Sequence, residues 1–363
     1  MAQLSHIEIE GYRSIRKLRL ELKALNVLIG ANGSGKSNLI GALGLLGDVV
    51  GQRLQLNVAE KGGASALLHF GPKKTKSLRL CTRFGPREYE VQLVHVAGDA
   101  FVFAKEQSIF HRTDESGSPI VTIFGDPGDK ESGLDQGLGP SEPAWHVIEA
   151  VRGWKVSQFH DTSKTAGLKQ KHQINDNRAL QPDGANLAAL LYGMKQSAPR
   201  KYREVVDAIR AIAPFFEDFV LEPDAVQPSV IQLEWRHRSD ASYFNAHSLS
   251  DGTLRFMCLV TLLLQPTKPS VIIIDEPELG LHPSAIVYLA ELMRMVSREC
   301  QIIIATQSVT LLDQFASEDV IVVERSNGES TFRRLTEAEL KSWIDDYSLG
   351  DLWLKNVLGG QPA

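Results

Sequence analysis

Apolar and polar residues alternate near the N-terminus: Leu4, Ile7, Ile9 and Tyr12 stand against polar neighbours, the period of a strand with one buried face. Leu25 to Ile29 is mostly apolar and runs into glycines, after which Leu39, Leu43 and Leu46 recur at helical spacing over Asn38–Val50. This order predicts strand, loop and helix. Residues 78–104 read as strands broken at Gly-Pro and Gly-Asp turns, and Gly125 to Pro143, dense in Gly, Asp, Pro and Ser, reads as a surface loop. Helices are expected over Ala185–Lys195 and Pro199–Val220, the second with Tyr202, Val205, Val206, Ile209, Ile212 and Phe216 on one stripe. Ser229–Arg236 then reads as a strand, Arg255–Leu264 as a helix and Val271–Ile274 as a fully buried strand. A helix from Ser284, a strand over Gln301–Ala305, a short helix near Leu311, a strand over Asp319–Val323 and a peripheral helical tail over Glu337–Leu358 complete the order. Hydrophobic strands spaced by helices of this length point to βα units around a mostly parallel sheet.

A chain of 363 residues can bury one large core or two modest ones. Hydrophobic residues at 43% and charged residues at 23% are those of an ordinary globular protein. No apolar run reaches the roughly 18 to 20 residues needed to cross a bilayer, and the N-terminal stretch mixes charge with alternating apolar positions, unlike a signal peptide. A cytoplasmic protein with no membrane partner is therefore expected. Cys81, Cys258 and Cys300 are far apart and lie in or beside apolar segments, which fits buried thiols in a reducing compartment and gives no zinc spacing. The net charge of -5 gives no support to a nucleic-acid binder that uses its whole surface. It leaves room for a local basic groove, at Lys73–Ser77 or at Lys169–His172. There is no internal repeat and no heptad run long enough for a coiled coil.

Gly30-Ala31-Asn32-Gly33-Ser34-Gly35-Lys36-Ser37 fits G-x-x-x-x-G-K-[ST] and stands between an apolar strand and an amphipathic helix. The glycines let successive backbone N–H groups turn inward on phosphate oxygens, and the start of the helix adds its positive end. Lys36 can reach the β- and γ-phosphates of a nucleotide, the Ser37 hydroxyl can ligate Mg2+, and Asn38 continues the binding segment. Val271 to Ile274 delivers Asp275 and Glu276 at its C-terminal end, where a P-loop fold holds magnesium and activates water. Asp275 is the candidate metal ligand, directly or through water, and Glu276 the candidate general base or water-orienting residue. Leu249-Ser250-Asp251-Gly252-Thr253 heads an apolar helix, so its hydroxyl and free N–H groups make either a helix cap or a second anion cradle. The residues alone leave both open.

As a set, these segments resemble the ATP-binding cassette superfamily, in the branch of chromosome-maintenance, recombination-mediator and phage-defence ATPases. The residues that carry the resemblance are IEIEGYRSI (7–15), NVLIGANGSGKSNL (26–39), LSDGT (249–253), IIIDEPELGLHP (272–283) and IIIATQS (302–308). FHDTS (159–163), NDNRALQPDGANLAALLY (175–192) and IAPFFEDFVL (212–221) are similar to the stand-alone ATPases of that branch. The resemblance implies an α/β fold, a two-lobed ATP-binding cassette head of P-loop NTPase type with a helical and loop insertion between the phosphate loop and the signature motif. The implied boundaries are 1–105 and 236–335 for the head, 106–235 for an insertion or lid, and 336–363 for a helical tail. It implies ATP and Mg2+ as cofactors and a homodimer formed head to tail on ATP binding. Ser250 and Gly252 of one copy would then contact the γ-phosphate held by the other. Lys36, Glu276, Gln307 and the opposing Ser250 make up the catalytic set this implies. Arg13 would lie near the phosphates or the base, and His282, in ELGLHP (278–283), at the dimer interface, where a solvated turn histidine fits as well.

Two positions depart from the family pattern. Gln307 stands where many cassette ATPases have a histidine on the γ-phosphate; an amide donates a hydrogen bond but carries no positive charge, so slow turnover with retained binding is expected. The glutamine that senses magnesium is not cleanly placed: Gln158 is the candidate third metal-site residue beside Ser37 and Asp275, with a solvated loop glutamine as the alternative. No nuclease centre is visible after position 310, so nucleic-acid cleavage would need a partner protein. The expected function is Mg2+-dependent ATP hydrolysis coupled to dimer closure, acting on DNA or an effector protein in genome maintenance or phage defence. The alternative is an ATP-controlled scaffold or sensor for a partner nuclease or toxin. A transporter motor is disfavoured by the GYRSI segment, the LHP turn and the long insertion.

Overall fold

The opening alternation folds as β1 (His6–Tyr12) against β2 (Ile15–Glu21), with Ile7 and Ile9 buried and Glu8 and Glu10 at the opposite face. The computed structural model describes residues 3–361 apart from 113–116, 135–138, 140–141, 155, 241, 341–342 and 344–345. β3 (Leu25–Ile29) leaves the first hairpin and runs through the glycine-rich turn into α1 (Lys36–Val50), which is followed by α2 (Leu54–Glu60) and α3 (Ala64–Leu67). The chain then returns to the first sheet as β4 (Ser77–Phe84), β5 (Arg87–Val96), β6 (Ala100–Phe110) and β7 (Ile120–Ile123). That sheet is antiparallel with order β2-β1-β4-β5-β6-β7.

Next come α4 (Pro143–Arg152), β8 (Val156–Ser157), β9 (His172–Gln173), α5 (Leu187–Ser197) and α6 (Pro199–Ile212). Short strands β10 (Phe216–Val220), β11 (Val230–Ile231), β12 (Glu234–His237) and β13 (Tyr243–Asn245) lead into α7 (Asp251–Leu264). β14 (Val271–Asp275), α8 (Pro283–Val296), β15 (Gln301–Thr306), α9 (Val309–Leu312), β16 (Val320–Ser326), β17 (Glu329–Arg334), α10 (Glu337–Leu340) and α11 (Leu349–Leu354) finish the chain. The second sheet has the order β17-β16-β3-β15-β14-β8 and is parallel except for the β16–β17 hairpin.

This sheet is buried on both faces, which explains its unbroken apolar strands. Successive residues point to opposite sides: Ile272, Ile274, Ile302 and Ile304 enter one core with α7 and α8, while Ile273, Ile303 and Ala305 enter another with α1, α4 and the first sheet. The C-terminal ends of β3, β14 and β15 thereby meet at one edge. Among the described residues no helix is long and apolar enough to cross a membrane.

Several segments depart from the pattern expected of them. The helix expected to reach Val220 stops at Ile212, because Pro214 restricts Ala213 before it and supplies no N–H to continue the turn. Phe216 keeps its place in the core from a strand instead. Ser229–Arg236 divides into β11, paired with β9, and β12, paired with β10 and β13. Within 125–143, residues 126–130 form the exposed loop expected there, whereas the stretch after them is docked on α2, where Glu131 accepts the N–H groups of Leu54 and Gln55 and Leu134 is buried. The expected loop also covers residues 135–138 and 140–141, which lie outside the described residues. Among the described residues the tail has the short helices α10 and α11, and Leu340, Leu352 and Trp353 on them and Leu358 after them are buried, so it is not peripheral.

Candidate functional site

Residues 30–35 connect β3 to α1, whose first residues are Lys36 and Ser37, and Gly35 shows why no larger residue fits there. Its φ is +116°, and a Cβ would stand 2.1 Å from the Ser330 hydroxyl. Lys36 is buried and folds back on its own loop, with Nζ donating to the carbonyls of Gly30 (2.6 Å) and Ala31 (3.1 Å). Burial lowers its pKa, against the opposing pull of Glu276, Asp275 and Glu278. A buried cation that can exchange carbonyls for phosphate oxygens is well suited to a phosphate cradle. The Ser34 hydroxyl is also buried and has no hydrogen-bond partner, the condition in which a polar atom awaits a ligand or water.

Asp275 ends β14, buried, with Oδ1 unpartnered. Burial raises its pKa and the neighbouring Glu276 adds to the rise, while the Ser37 hydrogen bond, His160 and Lys36 oppose it. Ser37, Asp275, Gln158 and Arg13 line one cavity of about 520 Å³. Gln158 follows β8, and its backbone N–H is held by the Pro182 carbonyl at 2.9 Å. Among the described residues no three His, Cys, Asp or Glu side chains converge on a metal position. Mg2+ keeps several waters and needs only one or two protein oxygens, a demand that the Ser37 hydroxyl and the orphaned Asp275 oxygen could meet.

Glu276 adopts φ +51°, left-handed backbone that is costly outside glycine and concentrates at working sites. Its N–H is fixed by the Ala305 carbonyl at 2.8 Å. Gln307, just beyond β15, uses both amide hydrogens: Nε2 donates to Asn32 Oδ1 at 2.7 Å and to Glu276 Oε1 at 2.8 Å. One amide therefore joins the phosphate loop to the acidic end of β14. Arg13 has φ +45°, with its guanidinium 5.6 Å from the centre of the Tyr12 ring.

The signature segment is built differently. Ser250 is exposed and caps α7: its hydroxyl accepts the Thr253 N–H at 3.2 Å and meets the Thr253 hydroxyl at 2.8 Å. A Cβ on Gly252 would lie 2.3 Å from the Gly280 carbonyl, so the glycine is needed for packing within the chain. Among the described residues no hydrogen bond links Ser250 or Gly252 to residues 30–38. His282 is exposed and caps α8 by accepting the Ser284 N–H at 3.3 Å. At Lys169–His172, one of the two stretches where the sequence leaves room for a local basic groove, Lys169 is buried, donating to the Thr162 carbonyl, and Lys171 pairs with Asp224. The cysteines are free and buried, and burial pushes Cys81 and Cys258 up to about 12.

Two residues near the site escaped the sequence reading. Glu278 accepts the Thr306 hydroxyl at 2.5 Å and the Gln307 N–H at 3.1 Å, so it seats the backbone that carries Gln307. Burial raises its pKa to about 7. Arg255, in the first turns of α7, donates to the carbonyls of Phe159, His160 and Leu279, tying the signature helix to the segments before and after it. Proximity in the motifs is the only sequence signal for either.

Over 131 residues the chain is 31% identical to a "Putative ABC transporter ATP-binding protein" of Methanosarcina acetivorans, covering 36% of this chain and 45% of that protein. The chain thus matches less than half of that relative's length. Its fold is similar to that of an SmcHead bound to the C-winged helix domain of ScpA, with a TM-score of 0.60 and 16% identity over 94% of this chain and 99% of that one. It is also similar to an Smc head domain with an extended coiled coil bound to the C-terminal domain of ScpA from Pyrococcus furiosus, with a TM-score of 0.56 and 14% identity over 95% and 99%. The architecture is accordingly the two-lobed α/β head of P-loop NTPase type. The family described as "AAA domain, putative AbiEii toxin, Type IV TA system" matches residues 25–313, which hold the phosphate loop, the signature segment and the acidic strand end, and the chain belongs to this family of ATP-binding domains.

Proposed function

We propose that this protein is a Mg2+-dependent ATPase in which two copies close head to tail on two nucleotides. The observation that carries the reading is the Gln307 amide, which joins Asn32 of the phosphate loop to Glu276 at the end of β14. A γ-phosphate lying against that amide would have Lys36 beside it and Glu276 within reach of a water.

In this reading Lys36 leaves the Gly30 and Ala31 carbonyls for phosphate oxygens, and the N–H groups of residues 33–37 turn to the phosphates. Glu276 Oε1 is held by Gln307, which aims the carboxylate so that it takes a proton from the attacking water. Mg2+, held by Ser37 and Asp275 with Gln158 nearby, would neutralise charge on the β- and γ-phosphates. Ser250 and Gly252 would complete the site of a second copy: Ser250 presents an exposed hydroxyl at the start of a long helix, and neither residue is tied to its own phosphate loop. Residues 106–235 would form an insertion or lid on the head, with 336–363 as its tail, and closure would act on DNA or an effector protein in genome maintenance or phage defence. The likeness to heads bound to ScpA domains favours a protein partner.

The test is the molar mass in solution of the Glu276→Gln protein with and without Mg2+-ATP. A doubling of mass on ATP that Ser250→Arg abolishes is expected. An unchanged monomer in saturating nucleotide would sink the head-to-tail closure. If biological output survives Glu276→Gln, the protein acts instead as an ATP-bound scaffold with incidental turnover.

A further inference from the structure

The family match ends at residue 313 and begins at residue 25, yet the phosphate loop is gripped by residues beyond both limits. Ser330, buried on β17, donates its hydroxyl to the Ser34 carbonyl. The Ser14 hydroxyl, in the β1–β2 turn, lies 2.6 Å from that of Ser330, and Asn38 Nδ2 donates to Ser14 at 2.6 Å. A hydroxyl has one hydrogen to give, and a carbonyl can only accept. Ser330 therefore gives its hydrogen to Ser34 and takes that of Ser14, which in turn accepts from Asn38. Arg325 Nη1 holds the Gly33 carbonyl at 3.3 Å, and the Ala31 N–H is held by the Gly360 carbonyl at 2.7 Å.

Because the peptide unit is planar and trans, fixing a carbonyl on one side of the chain fixes the next N–H on the other. The bond from Ser330 to the Ser34 carbonyl aims the Gly35 N–H away from β17, where Gly35 precedes Lys36 at the start of α1. We propose that Ser330 is a positioning residue for nucleotide binding, acting through the Ser34–Gly35 peptide with Ser14 as its relay. It sets affinity for the diphosphate shared by ADP and ATP, because it acts on the backbone of the cradle and not on Glu276 or Gln307. This rests on reading residues 30–37 as the phosphate cradle.

The experiment is calorimetric titration of ADP and of the non-hydrolysable analogue AMP-PNP, with Mg2+, well below the thermal midpoint of each variant. Ser330→Ala is expected to weaken both nucleotides about tenfold and equally, and Ser14→Ala to weaken both about threefold, as losing one buried hydrogen bond or its support would do. Thr331→Ala, on the exposed face of the same strand, should bind as wild type. Wild-type affinity in folded Ser330→Ala and Ser14→Ala, with binding lost in Lys36→Ala, overturns the proposal and leaves the cradle standing. A loss for AMP-PNP alone also overturns it. Wild-type binding in Lys36→Ala brings down the cradle reading and this proposal with it. If Ser330→Ala does not fold, Ser14→Ala decides.

Discussion

The phosphate loop and the signature segment are both short, glycine-containing and placed at a helix start, yet the chain treats them in opposite ways. The loop is held by residues far away in sequence: Ser330 on the Ser34 carbonyl, Gly360 on the Ala31 N–H and Gln307 on Asn32. In the signature segment the Ser250 hydroxyl is bonded only within its own turn, to Thr253, while Gly252 packs on Gly280 and the exposed Asp251 lies 3.8 Å from Lys169. A segment with remote anchors is preset before its ligand arrives, whereas the cap residue Ser250 is exposed and can present its hydroxyl to another molecule while that oxygen also accepts from Thr253. That contrast is what a site shared between two copies would require.

The largest effect is expected where the two kinds of residue would act on one phosphate. Glu276→Gln should lower turnover by about 10² to 10³ while nucleotide affinity stays within about twofold, checked by phosphate release and by titration. If binding and turnover fall together, Glu276 is not the base. Ser250→Arg should leave nucleotide affinity of the single copy within about twofold and abolish ATP-dependent pairing, read by light scattering. Lost affinity in the monomer would place Ser250 in its own site and erase the contrast.

Smaller effects sharpen the local side of the comparison. Gly252→Ala should destabilise the protein by about 1 to 3 kcal/mol, since its methyl meets the backbone carbonyl of Gly280 and not a flexible side chain. Thermal unfolding that matches wild type would show that the turn at Gly280 yields. Glu278 supplies the smallest signal. Its pKa is raised from 4.5 to about 7 by burial, so across that window the folded protein holds a proton that the unfolded chain has released. Stability from this group is therefore lost as pH rises through the window. Glu278→Gln should flatten the decline and raise the midpoint by roughly 2 °C at pH 8. An unaltered pH profile would assign the decline to other groups.

What could be read along the chain was whatever a short segment decides by itself. Gly30 to Ser37 and the run Val271 to Glu276 each combine element, turn and chemistry within a few residues. Ser14, Ser330 and Glu278 could not be read this way, because an isolated serine or glutamate acquires its role only when distant strands bring a carbonyl to it. The overlong helix after Pro199 has a different cause. Its apolar stripe continues through Phe216 because strand β10 buries that side chain too, and only Pro214 marks the change of backbone. Gly252 shows the converse case, a motif glycine whose spacing hints at a ligand while its own chain already requires the missing side chain.

The docking of the tail also gives the molecule a spectroscopic property. Trp353, one of five tryptophans, is buried with its indole nitrogen unpartnered, and a Cβ built on Gly360 would lie 3.5 Å from that nitrogen. Gly360 is the residue whose carbonyl holds Ala31. The indole thus sits beside the residue that holds the loop, and in a protein whose other four tryptophans are replaced its emission wavelength should shift if that contact changes.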